Sequence, residues 1–176
     1  MLGVILGIVV VIVFLAFLVV VFNNKFNLTN IKIDKANEDI DLYLQKKKEL
    51  LERTRPIVKK EIKTKEFMND LDEKHEDYDS FKNHILLKKC YNELFKILDE
   101  NEKLLKSKTL VKILENLNEN EENIVGAIKF YNDTVVEYNR LVTSFPSKII
   151  AIFKGYKKLE FYNNEKREIF EILNNK

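Results

Sequence analysis

The chain opens with a long apolar stretch, Met1 to Phe22, that contains no charged side chain. A helix from Leu2 to Phe22 would be roughly 32 Å long at about 1.5 Å per residue, and the hydrocarbon core of a bilayer is about 30 Å thick. The stretch lacks the basic start and the short apolar core of a cleaved secretory signal. We therefore predict an uncleaved transmembrane anchor over residues 1–22, followed by one helical domain over residues 23–176.

Beyond this anchor, apolar residues recur every three or four positions, which is typical of helices that pack along one face. The predicted helices are Leu28–Met68, Phe81–Lys106, Leu110–Ser144, Lys148–Lys154 and Asn163–Leu173. Pro56 is expected to kink or split the first of them, because proline lacks a backbone N–H. The acidic segment Asn69–Ser80 has no such period and predicts a loop outside the core. The fold class is all-α: an N-terminal transmembrane helix followed by an antiparallel up-and-down helical bundle.

Two helix boundaries have residues typical of caps and corners. Thr109 is predicted to cap the third helix. At Phe145-Pro146-Ser147 we expect proline to end one helix, Ser147 to cap the next and Phe145 to pack over the turn. The short helix that follows has apolar residues on almost all sides, so it is either buried or a contact patch, and we expect burial.

The distribution of charge bears on orientation and on partners. Lys25, Lys32 and Lys35 follow the anchor, and lysines near a membrane span are retained on the cytoplasmic side, so the domain is predicted to be cytoplasmic with the N-terminus outside. The net charge is only +2, which argues against nucleic acid as a partner. The basic block over residues 46–65 and the acidic block over 66–79 are expected to be solvated faces or to pair with each other. The lone Cys90 cannot form an intramolecular disulfide and is expected to be a buried thiol.

Residues suited to catalysis or metal binding are few. His75 and His84 have no companion ligand at metal spacing, and the sequence has neither a Gly-rich phosphate loop nor a nucleophile elbow. Asp70 and Asp72 have the first spacing of a calcium loop, but its central Gly and closing Glu are missing. We predict no enzymatic activity, no catalytic residue, no metal and no cofactor.

Six doublets follow one another in the last third of the chain: Tyr131-Asn132, Tyr138-Asn139, Phe145-Pro146, Ile150-Ala151, Gly155-Tyr156 and Phe161-Tyr162. In order and spacing this series, called the signature below, resembles the C-terminal signature of the LemA family. The N-terminal half resembles that family in Ile40-Asp41, Leu44, Lys46-Lys47 and Glu49-Leu50-Leu51, and differs from it at Glu52-Arg53 and Ile128. The resemblance implies an up-and-down bundle that faces the cytoplasm behind an anchor, and it implies no established activity.

The two Tyr-Asn doublets stand seven residues apart, so Tyr131 and Tyr138 share one helix face, as do Asn132 and Asn139. We expect the tyrosines to pack in the core and the asparagines to bond to a facing helix. The alternative is that the asparagines form the floor of a ligand groove. These four residues, with Phe145 and Pro146, are the candidate interaction residues.

These observations predict a non-enzymatic, membrane-anchored cytoplasmic module that binds another protein at the inner face of the membrane. Its predicted partners are the lipid bilayer, through Leu2–Phe22, and a protein; self-association stays open. One alternative is a coiled-coil-like scaffold of the cell envelope or division machinery, which long uninterrupted helices would favour. The other is a hydrolase with its site in the bundle, for which the sequence offers no set of acid, base and nucleophile.

Overall fold

The computed structural model describes residues 1–63, 67–72 and 80–162, and within them the secondary structure is helical. The α-helices are α1 (Leu2–Ile62), α2 (Ser80–Glu100), α3 (Lys108–Thr143) and α4 (Ser147–Lys154). Two short 3₁₀ helices span Asn69–Asp72 and Glu102–Lys106. The all-α fold class is confirmed. The helix predicted over Asn163–Leu173 lies outside the described residues.

Helix α1 is one continuous helix of 61 residues. It joins the apolar stretch to the first predicted domain helix, so the expected gap after Phe22 is absent. The split expected at Pro56 is also absent. Pro56 lies on the exposed side of α1, where water can solvate the Glu52 carbonyl that loses its N–H partner. The helix ends at Ile62, before the predicted Met68, and Lys63 then takes a left-handed conformation with φ of 53°.

The N-terminal part of α1 is long and apolar enough to cross a membrane, with a mean hydropathy of 3.6 over its most apolar window and no residue of that window buried. This finding supports the predicted anchor by length and composition.

The chain divides into two compact units. Unit 1 comprises Met1–Ala36 and Phe130–Asn164, and its core is formed by Phe26, Ile33, Tyr138, Ile150 and Ala151. Within it α3 lies antiparallel to α1: Phe26 contacts Tyr138, and Lys32 pairs with Glu137.

Unit 2 comprises Asn37–Lys129 and Glu165–Lys176, of which the structure describes residues 37–63, 67–72 and 80–129. Here too α3 is antiparallel to α1, since Lys47 pairs with Glu121 whereas Arg53 lies beside Lys112. Its core includes Ile40, Leu44, Leu51, Val58, Leu87, Leu94, Leu110, Leu117, Ile124 and Ile128. Ile128 contributes an apolar side chain to this core.

Helix α2 adds an arrangement that the sequence did not predict. Contacts with α1 advance in the same direction along both helices: the Ser80 hydroxyl bonds to Asp41, Tyr91 lies against Lys47, and Glu61 lines a pocket with Asp99–Lys103. Helices α1 and α2 are therefore parallel, and residues 63–79 connect them. Part of this connection is core, because Phe67, Met68 and Leu71 are buried. The prediction of a purely solvated loop over Asn69–Ser80 is wrong at Leu71, while residues 73–79 lie outside the described part.

The helix boundaries correct three side-chain assignments. The Ser107 hydroxyl accepts a hydrogen bond from the Leu110 N–H at 3.3 Å, so Ser107 caps α3 in place of Thr109. Ser147 caps nothing: its hydroxyl donates to the Ser144 carbonyl at 2.9 Å. Phe145 projects into solvent instead of packing over the turn. The end of α3 next to Phe145-Pro146 and the end of α4 at Gly155, with φ of 70°, are as predicted.

Candidate functional site

The side chain of Asn139 binds the backbone of one residue twenty positions further along the chain. Its Nδ2 donates to the Leu159 carbonyl and its Oδ1 accepts from the Leu159 N–H, both at 2.8 Å. A planar amide presents a donor and an acceptor side by side, which matches the N–H and C=O of one extended residue. Asn139 therefore holds the segment after α4 against α3.

Asn132 continues this arrangement two helical turns earlier, where its Oδ1 accepts from the Tyr162 N–H at 2.8 Å. Seven helical residues span about 10.5 Å, and three extended residues, from Leu159 to Tyr162, span about 10 Å. The two spacings match, so both asparagines hold one extended segment. We call Asn132, Asn139 and the backbone of Leu159–Tyr162 the asparagine clamp. The expectation that the asparagines bond to a facing helix is wrong, because their partner is extended backbone.

The tyrosines of the signature pack beside the clamp. Tyr138 is buried, with ring centroids 5.9 Å from Phe26 and 6.4 Å from Tyr156. Burial raises the pKa of Tyr138, and the nearby Tyr156 adds to this. Tyr131 is half-buried: its ring lies edge-on to Tyr162 at 6.1 Å, and its hydroxyl donates to the Glu160 carbonyl at 3.4 Å.

The doublets between the Tyr-Asn pairs and Tyr162 shape α4 and the turn that follows it. Ile150 and Ala151 are core residues, and Gly155 has the left-handed conformation that lets the chain leave α4. Tyr156 then packs on Phe26 at 4.8 Å. The signature is therefore a set of residues that folds unit 1.

A cleft of about 540 Å³ lies in unit 1. Its apolar residues are Phe22, Leu28, Leu141 and Phe145, and its charged residues are Lys25, Lys32, Glu137 and Arg140. Of the candidate interaction residues, Phe145 lines this cleft, whereas Asn132 and Asn139 do not line it.

Unit 2 contains an ion pair between a buried lysine and a partly exposed glutamate, which the sequence did not predict. Lys47 is fully buried, and its Nζ lies 2.6 Å from Glu121 Oε2 and 4.9 Å from the centre of the Tyr91 ring. Burial lowers the pKa of Lys47 below its ordinary value of 10.5, and the hydrogen bond and charge of Glu121 oppose that shift. Burial and the Glu121 charge raise the pKa of Tyr91. The expectation that residues 46–65 form solvated faces is wrong at Lys47.

Asn120 belongs to the same buried region. Its Nδ2 donates to the Tyr43 carbonyl at 2.9 Å, while its Oδ1 is buried without a hydrogen-bond partner. The Tyr91 hydroxyl donates to Asn118 at 3.0 Å. The Asn120 bond connects α3 to α1, and the exposed Tyr91–Asn118 bond connects α3 to α2.

Among the residues that the structure describes, no group of three or more His, Cys, Asp or Glu side chains is placed to hold a metal ion.

Comparison with family models identifies the chain over most of its length: the LemA family model matches residues 36–172. The chain belongs to the LemA family. Comparison with curated proteins gave no match. The LemA match includes the whole signature and both members of the ion pair, and it begins after the apolar part of α1.

The signature was visible in the sequence, but its physical role was only partly predicted. The seven-residue spacing indicated that the two asparagines share a face. Their partner was missed because an extended segment has no periodicity to detect. The burial of Lys47 could have been predicted. Lys47 lies three residues after Leu44 and four before Leu51, which is the helical position that continues the apolar stripe between them.

Proposed function

We propose that this LemA protein is a non-enzymatic adaptor, anchored by Leu2–Phe22, whose helical part lies in the cytoplasm and binds another protein at the inner face of the membrane. One observation carries the proposal: α1 runs from the apolar stretch through both units without a break. A protein bound to unit 1, which contains the end of the apolar stretch, would thereby be held close to the bilayer.

The orientation rests on the lysines that follow the apolar stretch. Lys25 and Lys35 are exposed, and Lys32 pairs with Glu137 at 3.4 Å on the surface. Positive charges just beyond a span favour the cytoplasmic side.

The cleft of unit 1 suits a protein partner better than a small molecule. It combines exposed apolar side chains such as Leu28 with charges of both signs at its edge, as protein interfaces do. Asn132 and Asn139 bond to backbone inside the protein, so these amides serve the fold and are not the surface that we assign to the partner.

A scaffold remains the second candidate because α1 is unbroken at Pro56. A long helix without a break at Pro56 is what a filament of side-by-side copies would use. A filament would place copies of the chain side by side, whereas an adaptor would place a different protein on the cleft.

The proposal is tested by site-specific photocrosslinking of the full chain in native membranes. A photoreactive residue replaces Leu28, which lines the cleft, or, as a control, Leu42, an exposed leucine of the same helix in unit 2. We expect position 28 to give an adduct with one other protein, identified by mass spectrometry, and position 42 to give none. Reversing the charge at the cleft edge with Glu137→Lys should reduce that adduct.

Adducts made only of copies of this chain would contradict the adaptor and favour the scaffold. An identical set of proteins at positions 28 and 42 would contradict the cleft as the docking surface.

A further inference from the structure

Helix α4 has one buried face and one exposed apolar face. Ser147, Ile150 and Ala151 are buried in unit 1. On the opposite side Ile149, Ile152 and Phe153 are 48%, 69% and 87% exposed, and Phe145 just before the helix is 83% exposed. The expected burial of this helix is therefore wrong for half of its circumference, and the exposed half is a patch of large apolar side chains. Phe145 also lines the cleft of unit 1, so we call only Ile149, Ile152 and Phe153 the α4 patch.

The position of α4 indicates what covers this patch. Lys154 Nζ donates to Asn23 Oδ1 at 2.5 Å, and Asn23 is the first residue after the apolar stretch. Tyr156, two residues beyond α4, packs on Phe26, which lies about 6 Å past Phe22 along the helix. The headgroup zone on each side of the hydrocarbon core is about 5–7 Å thick. The C-terminal end of α4 is thus level with the headgroups of a bilayer spanned by Leu2–Phe22.

The charges around the patch fit the same surface. Lys148, Lys154, Lys157 and Lys158 are exposed, and the sequence from Ser144 to Leu159 contains no acidic residue. Lysines beside an apolar helix face are the pattern of interfacial helices, in which the apolar face enters the lipid and the ammonium groups meet anionic headgroups.

We propose that α4 is an interfacial helix: the α4 patch inserts into the leaflet in which the anchor ends, and the neighbouring lysines bind lipid phosphates. The occupant of the patch is the bilayer itself, because the patch lies beside the end of the span. This inference rests on the membrane anchoring in the proposed function and adds a second point of contact with the membrane.

The test uses the full chain in vesicles of phosphatidylcholine mixed with phosphatidylglycerol. An environment-sensitive fluorophore is attached to a single cysteine, in a Cys90→Ala background, through Phe153→Cys, Val20→Cys or Val136→Cys. Val20 lies in the span, and Val136 is an exposed residue of α3 in unit 1, next to the Lys32–Glu137 pair. Because Phe153 is exposed, its replacement should not unfold the protein; Ile152→Cys provides a second reporter, and circular dichroism checks helicity.

We expect the labels at positions 153 and 20 to be quenched by nitroxide-bearing lipids and protected from aqueous iodide, with blue-shifted emission. The label at 136 should behave in the opposite way. Replacing phosphatidylglycerol by phosphatidylcholine, or introducing Lys157→Glu with Lys158→Glu, should weaken lipid quenching at 153 and leave it unchanged at 20.

Two results would overturn the inference without affecting the anchor. The first is iodide quenching of the label at position 153 equal to that at position 136. The second is protection of the label at position 153 from both quenchers, which would mean that protein covers the patch. A label at 20 that iodide quenches and lipid does not would overturn the anchor, and with it the proposed function.

Discussion

At the scale of single residues, polar side chains in helical positions hold this protein together. Asn139 bonds to both backbone groups of Leu159, and Lys47 pairs with Glu121 inside unit 2. Both were visible as positions on a periodic stripe. Their hydrogen-bond and ion-pair partners could not be predicted in this way. A stripe indicates which side chains face inward, but it does not indicate which groups those side chains contact.

Removing the partner of Lys47 should destabilise the protein strongly. Glu121→Gln leaves a buried ammonium group without its counter-charge, and breaking a buried pair in this way costs about 3 kcal/mol or more. The control Glu119→Gln changes an exposed carboxylate two residues earlier and should leave the melting temperature unchanged. Thermal unfolding followed by circular dichroism measures both.

The loss caused by Glu121→Gln should depend on pH. The pKa of Lys47 is lowered in the folded protein, and removal of Glu121 lowers it further, so the variant sheds this proton first as the pH rises. Its deficit in stability should therefore shrink as the pH rises toward 10.5, the ordinary pKa of lysine. A deficit that does not change over this range would contradict the ion pair.

The asparagine clamp predicts a graded result at one position. Asn139→Ala removes both hydrogen bonds to Leu159 and should cost about 1–3 kcal/mol of unfolding free energy. Asn139→Asp keeps an acceptor for the Leu159 N–H but sets a carboxylate against its carbonyl, so it should restore only part of that loss. Hydrogen exchange should show faster exchange of the Leu159 and Tyr162 amides in Asn139→Ala. Full stability of the alanine variant would mean that the clamp contributes nothing.

At the scale of elements, sequence periodicity predicted the helices well and their connections poorly. The bounds of α3 and α4 lie within two residues of the prediction, because both end at a Pro or a Gly with a defined backbone preference. The parallel arrangement of α1 and α2 was not predictable, since it depends on the connecting residues 63–79, which have no regular pattern. The exposure of the α4 patch was missed for a related reason. A short helix with apolar residues on all sides must contact protein or lipid, but its sequence does not show which side the rest of the protein covers.

Pro56 provides a prediction for α1. Proline within a helix destabilises the folded state by about 3 kcal/mol relative to alanine. Proline also lowers the entropy of the unfolded chain, which offsets up to about 1 kcal/mol of this cost. Because Pro56 is exposed and α1 is unbroken, Pro56→Ala should stabilise the protein by about 2 kcal/mol in denaturant unfolding. Unchanged or reduced stability would show that proline is required for the local path of α1.

The start of the folded part of α1 can be tested by truncation. Phe26 is fully buried against Tyr138 and Tyr156, so a chain that begins at Asn27 lacks a core side chain that a chain beginning at Asn23 retains. Loss of this ring should cost about 3 kcal/mol, visible as a lower melting temperature of the shorter chain. Equal melting temperatures would exclude Phe26 from the core.

At the scale of the whole molecule, the residues of the signature lie together in unit 1, which contains the end of the apolar stretch. All six doublets lie in unit 1, where they build α4, its turn and the asparagine clamp. The resemblance to the family and the all-α fold could be predicted from the sequence. The α4 patch could not, because exposure depends on which face of a short helix the rest of the unit covers.

The central claim, that the apolar part of α1 anchors a cytoplasmic helical protein, is tested most directly by cysteine accessibility in cells. Cys90 is buried and cannot serve as a reporter. Glu115→Cys, in a Cys90→Ala background, places an exposed thiol on α3. A membrane-impermeant maleimide should leave this thiol unlabelled in intact cells and label it in inside-out membrane vesicles, with the chain remaining in the membrane fraction. Efficient labelling on intact cells, or recovery of the full chain in the soluble fraction, would contradict the account.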